Sequence, residues 1–389
     1  MEDLARMERG SRNIGKNLLA IFIGISISFV LLEGLLRIFQ PIEYRVKGHK
    51  IKLPRDKKYQ LINNNTNKLD KIISVTKNHL GLRGEMPPKN FAEALTVIAI
   101  GGSTTECVLI SDGKTWCDIL ANKLKQNYMP FWLNNAGLDG NTTFGHIILM
   151  EDYIVKIRPK VALFLLGAND IGLQAPGDYD RKQLKNPVSG FVASCWEGMI
   201  NNSEVLSYAI NFHRYFKANR VGLLTHPILN FPEMEQVDFS PETIQAGLRK
   251  HQEKYLKPYA QRLKRLIQLC RENSIEPVFI TQPAVVGDLL DPLTGANLAR
   301  ISAWGWNGKV LWEILGLYNE VLSNTAREQQ VYLIDLAQEM PKSTKYYYDI
   351  YHFTNAGCQQ VAEIIAEHLE PFLAERYPQY LVSNRSNHH

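Results

Sequence analysis

Reading along the chain, the first strong pattern is an unbroken apolar run over residues 18–32 (LLAIFIGISISFVLL), continuing through Glu33 to Leu36. As a helix, 18–36 spans about 28 Å, roughly one hydrocarbon core. The run is long for a signal-peptide core and no small-residue cleavage pattern follows it. It is therefore read as a retained transmembrane anchor over 17–37, preceded by an arm over 1–16, with a cleaved signal peptide as the rival. A buried core helix fits poorly, because an all-round apolar helix here runs into a polar stretch. That stretch, 38–75, is predicted to be an exposed basic linker.

From residue 95 the pattern becomes strand, turn, helix, repeated. Short apolar runs rich in β-branched residues predict strands at 95–100 (LTVIAI), 131–136, 161–166 (VALFLL), 277–281 and 331–336 (VYLIDL). Helical spacing predicts helices at 115–127, 144–157, 241–272 and 310–327, and a closing helix after Thr354, a suitable N-cap. Apolar strands separated by helices give a parallel sheet covered on both faces, a doubly wound α/β domain, here placed at 76–376 with a tail over 377–389. Two stretches interrupt the alternation, 171–240 and 283–309, and are expected to be insertions that shape specificity or form a lid.

Composition narrows the picture. Among 389 residues 45% are hydrophobic and 21% charged, a globular balance that excludes disordered and collagen-like chains. Five cysteines and no C-x-x-C pair give neither a disulfide scaffold nor a zinc motif, and no metal or cofactor is expected. The formal charge of +5 is local: residues 37–58 hold eight Lys/Arg against Glu43 and Asp56. The rest is near neutral, so nucleic acid is not an expected partner. The basic stretch is either a solvated linker or a contact with anionic lipid. Counting cations on each side of the apolar run would put the large domain in the cytoplasm, but large domains often translocate regardless of that count.

In doubly wound folds the chemistry sits beyond the carboxyl ends of the strands. There the sequence offers Gly101-Gly102-Ser103-Thr104-Thr105, then Asn135-Ala136-Gly137-Leu138-Asp139-Gly140-Asn141, then Gly167-Ala168-Asn169-Asp170, and last Asp349-Ile350-Tyr351-His352. Acyl transfer needs this set. A serine hydroxyl attacks well only if a histidine removes its proton, and a carboxylate must hold that histidine in one tautomer. The tetrahedral oxyanion needs fixed donors, which the Ser103 amide, a glycine amide and the Asn169 side chain would supply.

These blocks resemble the SGNH (GDSL-type) hydrolases, with the serine in IAIGGSTTE in place of Gly-Asp-Ser-Leu. The similarity extends over about 78–375, including HLGLRGE, which resembles a segment of membrane-anchored members. It implies Ser103 as nucleophile, His352 as base and Asp349 as its carboxylate, with Ser103, Asn169 and a glycine forming the oxyanion hole. Gly140 fits the family pattern better than Gly137. An α/β-hydrolase would want Gly-x-Ser-x-Gly and a carboxylate well separated from its histidine, whereas here Thr105 stands at the second glycine position and Asp349 is three residues from His352.

Other residues draw plainer readings. Asp170 is expected to cap its own turn, and His226 to be a surface histidine, with substrate contact as the alternative. Cys107 and Cys117 would pair only in an oxidising compartment, and buried thiols are the default. The aromatic-rich stretch 205–216 is read as a core helix, with an acyl or glycan pocket as the alternative. The expectation is a membrane-anchored, extracytoplasmic serine esterase or acyltransferase. Its substrate would be an acyl, above all acetyl, ester of an envelope or exported glycan. The alternatives are a lipid-directed esterase and a catalytically silent glycan-binding protein.

Overall fold

A computed structural model describes residues 2–39, 44–47, 50–174, 198–220 and 226–382. The chain divides into two compact units, one of residues 53–183 and 223–389, the other of 1–52 and 184–222.

The larger unit is built on a five-stranded parallel sheet. Its strands are β1 (Leu95–Gly101), β2 (Phe131–Asn135), β3 (Val161–Leu166), β4 (Glu276–Thr281) and β5 (Tyr332–Ile334), in the spatial order β2-β1-β3-β4-β5. This is the doubly wound α/β fold that the apolar runs predict. Every residue of β1, β2 and β3 is buried, which is why these strands read as continuous apolar runs. Val97, Ala99, Leu163, Leu165, Val278 and Ile280 share one face, in one cluster with Leu120 and Leu124 of the helix Trp116–Asn127 and Val361 and Ile365 of the helix Asn355–Arg376. The alternate residues Phe164 and Phe279 meet edge to face on the other side, 5.8 Å between centroids. The chain leaves β1 toward β2 and returns to β3, so the topological switch lies between the ends of β1 and β3.

Local chemistry sets the element ends. Thr354 accepts a hydrogen bond from the Gly357 amide and caps the closing helix, as its sequence predicts. The helix expected over 241–272 is two, Pro241–Lys254 and Leu256–Glu272, meeting at Tyr255. Pro258 has no N–H for the Lys254 carbonyl, which breaks the ladder there. The expected helix 144–157 likewise loosens into a wider π turn over Met150–Ile154. Part of the stretch expected to be linker is ordered: Lys57–Ile62 pairs antiparallel with Ile72–Lys77, and Ile73, Val75 and Lys77 are buried at alternate positions.

The smaller unit contains the long helix Glu2–Phe39, of which Gly15–Phe39 is long and apolar enough to cross a bilayer, its most apolar 18-residue window having a mean hydropathy of 2.4. The helix Glu204–Arg220 packs against it and begins at Glu33. Glu33 accepts from the Ser203 hydroxyl (2.9 Å) and the amides of Glu204 (2.8 Å) and Val205 (3.1 Å), while Arg37 holds it at 2.9 Å. Glu204 in turn binds Tyr44 and Lys47. The core-helix reading of 205–216 is thus corrected. The Phe212 and Phe216 rings pack on each other at 4.7 Å and remain more than half exposed, because this helix has the N-terminal helix as its partner rather than a sheet.

Candidate active site

Each sequence-predicted residue lies beyond a strand end of the larger unit or in the loop before the closing helix. Ser103 opens a single helical turn, Ser103–Glu106, directly after β1, and is 8% exposed. Its N–H is the first of the turn and has no intrahelical partner. Gly102 must be glycine with Asn169 where it is: a Cβ there would lie 2.3 Å from Asn169 Nδ2. Asn169, after β3, donates from that Nδ2 to the Asn141 carbonyl at 3.0 Å, tying the loops after β2 and β3 together beside Gly102. The second Nδ2 hydrogen is left for another acceptor.

The loop after β2 distinguishes the two glycines. The Gly137 amide donates to Asn135 Oδ1 (2.8 Å), Leu138 to the Gly101 carbonyl (3.1 Å), Asp139 to Glu106 Oε2 (2.5 Å) and Asn141 to the Leu138 carbonyl (3.0 Å). Gly140, with φ +65°, is the residue of this set whose amide has no partner among the described residues. An L-residue would be strained in that left-handed conformation.

Asp349 and His352 meet as a pair. Asp349 Oδ2 lies 2.6 Å from His352 Nδ1, and Oδ1 accepts from the amides of Tyr351 (2.9 Å) and His352 (2.8 Å). Burial alone would raise the Asp349 carboxyl, but the His352 ring and these two amides hold it below the ordinary carboxylate range. Tyr348 stacks on His352 at 5.5 Å and 10°. His352 Nε2 is buried and makes no hydrogen bond, to Ser103 or to anything else described.

The profile of the GDSL-like Lipase/Acylhydrolase family matches residues 99–360. The chain belongs to this family. It is accordingly a GDSL/SGNH-type serine hydrolase acting on ester bonds. No curated protein matches it significantly. Solved structures similar to it include an acetylxylan esterase from Geobacillus stearothermophilus, at 14% identity over 70% of this chain and 92% of that one, TM-score 0.39. Another is a GDSL-like lipase from Bacteroides thetaiotaomicron, at 10% identity over 75% and 93%, TM-score 0.37.

Around the family residues lies a polar frame that sequence reading missed. In this GDSL-family site Lys77 binds Glu106 Oε1 at 2.8 Å, and the other oxygen of Glu106 takes the Asp139 amide. Asp139 Oδ2 lies 3.2 Å from His226 Nε2, and the His226 ring stands edge-on to His352, 4.5 Å between centroids. The surface-histidine reading of His226 is corrected: its side chain is 16% exposed and lies beside the Asp–His pair. Burial opposes charge on His226, but Asp139, then Asp349 and Glu106, outweigh it and hold the imidazole above its ordinary value. Only Glu106, three residues after Ser103 in the serine block, carried a positional signal. Asp139 and His226 meet through loops distant in sequence.

Asp170 also departs from expectation. Rather than capping its own turn, its buried carboxylate accepts from the Thr143 amide (3.1 Å) and hydroxyl (2.5 Å) and pairs with Arg262 at 3.3 Å. It caps the helix Thr143–Leu149 that follows the Gly140 loop. Arg83, within HLGLRGE, is buried and donates to the carbonyls of Glu106, Cys107 and Ile110, fixing the chain after the serine turn. The four described cysteines are free and buried, and Cys107 Sγ lies 4.0 Å from Cys358 Sγ.

Proposed function

We propose that Ser103 is the nucleophile, His352 the base and Asp349 its orienting carboxylate in an esterase or acyltransferase tethered to a membrane by its N-terminal helix, with the catalytic unit outside the cytoplasm. The observation that carries this reading is the state of His352. Its Nδ1 is fixed by a carboxylate and its Nε2 is buried with nothing to bond, the condition of a base awaiting a proton.

In the reaction Ser103 Oγ attacks the ester carbonyl carbon while its proton passes to His352 Nε2. The oxyanion takes hydrogen bonds from the Ser103 and Gly140 amides and from Asn169 Nδ2. Collapse breaks the bond to the alkoxy oxygen, His352 returns the proton to that oxygen, and the acyl group stays on Ser103. Water or a sugar hydroxyl then attacks the acyl-serine with His352 again as base, which gives hydrolysis or transfer.

The substrate we assign is an acyl ester, in the simplest case acetyl, of an envelope or exported polysaccharide. The family's ester chemistry and a helix able to hold the enzyme at the membrane support it. The same helix favours lipid esters as the second reading. A fluorophosphonate probe should label the full chain in detergent but not Ser103→Ala; equal labelling of the variant removes Ser103 as nucleophile. Turnover of acetylated glycan against acyl-lipid esters, with and without acceptor glycan, decides the substrate. A C-terminal reporter active only in the cytoplasm would overturn the orientation.

A further inference from the structure

Two carboxylate–histidine pairs stand side by side in the larger unit. Asp349 holds Nδ1 of His352, and Asp139 holds Nε2 of His226. Each pairing fixes the ring by one nitrogen and leaves the other for a ligand. On His352 that atom is Nε2, buried and without a partner. On His226 it is Nδ1, which makes no bond among the described residues. A histidine whose far nitrogen is bound to a carboxylate is the arrangement that orients imidazole for a metal and raises its basicity.

The three side chains are gathered closely. Ligand atoms of His226, Asp349 and His352 all lie within 4.8 Å of one another. Ligands of a tetrahedral zinc ion, at about 2.0–2.1 Å from the metal, stand roughly 3.4 Å apart. His226, the ligand that must move to share an ion with His352, sits in an irregular segment before the turn at Phe231–Glu233 rather than in a helix or strand. Both imidazole side chains are about one-sixth exposed. Two imidazoles, with water completing the shell, suit Zn2+ and its neighbours and disfavour Mg2+ and Ca2+, which take oxygen ligands; the Asp349 carboxylate, spent on His352 Nδ1, orients that ring rather than ligating the ion.

We propose that His226 and His352, with Asp349 beside them, form an inhibitory site for a zinc-class divalent cation. The ion takes the Nε2 lone pair of His352, so the imidazole can no longer accept the proton of Ser103. The inhibition, though not the binding, rests on the reading of His352 as the base. Asp139 acts here as a positioning residue, through His226.

The test uses the full chain in detergent, with a small soluble acetyl ester as substrate and Zn2+ or Co2+ as probe. Wild type should lose turnover as free Zn2+ rises, recover it with a chelator, and ignore Mg2+. His226→Gln, which keeps a hydrogen-bonding side chain toward Asp139, should turn over the ester without zinc yet need far more zinc for inhibition. Asp139→Asn should shift the inhibitory concentration by roughly 10–100-fold. Co2+ should give the visible absorption of a low-coordinate site in wild type and in the inactive Ser103→Ala, and not in His226→Gln. Equal zinc sensitivity of wild type and His226→Gln, or no Co2+ band, overturns the site. A His226-dependent Co2+ band with undiminished turnover would uphold the site and instead remove His352 as the base.

Discussion

Asn169 is where a structural and a catalytic role separate most cleanly in measurement. If its free amide hydrogen meets the oxyanion, Asn169→Ala lowers kcat by about 10²–10³ with KM little changed, the cost of one oxyanion donor. If it merely joins the loops after β2 and β3, alanine lowers the melting temperature and leaves kcat per folded molecule intact. Gly102→Ala checks the same atom from the other side, since its Cβ would displace the Asn169 amide. It should cost nearly as much as Asn169→Ala, and the double variant little more than either. Ser103→Ala and His352→Ala should each remove most turnover without adding, because nucleophile and base act as one unit. Kinetics and thermal melts on the same preparations decide all of these. The positions of Ser103, Asn169, Asp349 and His352 beyond the strand ends and before the closing helix could be read from the sequence, because each follows an apolar run or forms a local pair. The preference for Gly140 over Gly137 came from a family pattern, and only the hydrogen-bond inventory of the loop supplies a physical reason for it. His226 and Asp139 were not legible, since nothing local in either segment requires the other.

Among the elements, the helix Thr143–Leu149 holds a titrating group whose sign can be worked out. His146 is fully buried beside Asn141, whose Nδ2 lies 3.0 Å from its Nδ1, and burial pushes its pKa down to about 3. The unfolded chain therefore binds a proton below about pH 6.5 that the folded chain refuses. Stability is undiminished above that pH and falls, by up to about 1.4 kcal/mol per unit, as pH drops toward 3. Denaturant midpoints measured across this window should fall less steeply in His146→Gln than in wild type. The same helix shows why some elements are hard to read: its capping carboxylate, Asp170, comes from beyond the next strand. The sheet strands were readable because burial on both faces demands continuous apolar runs. The hairpin of Lys57–Ile62 and Ile72–Lys77 was not, because its period-2 pattern is embedded among lysines and asparagines.

For the whole molecule, the interleaving of the two units governs how the chain can be cut. A fragment beginning at residue 40 keeps the helix Glu204–Arg220 but removes Glu33, leaving two amides and a hydroxyl without their acceptor, a loss of about 0.5–2 kcal/mol by analogy with helix caps. Limited proteolysis should clip that fragment within 198–220 sooner than the full chain. Residues 53–183 joined by a short Gly/Ser linker to 223–382 should be soluble and turn over a small ester. An inactive but folded fragment would show that the excised segment takes part in the reaction. Sequence reading separated the N-terminal apolar helix from the strand–helix repeat but not the return of the chain to that helix, because an apolar helix carries no mark of a partner so far downstream. That separation also has a timetable. Glu33 leaves the ribosome 171 residues before the Glu204 amide it accepts from. At about 5–20 residues per second this is an interval of roughly 10–30 s. Throughout it a carboxylate near the end of an apolar helix has only Arg37 and water to answer it, so a newly made chain is most exposed to proteases before its second half exists.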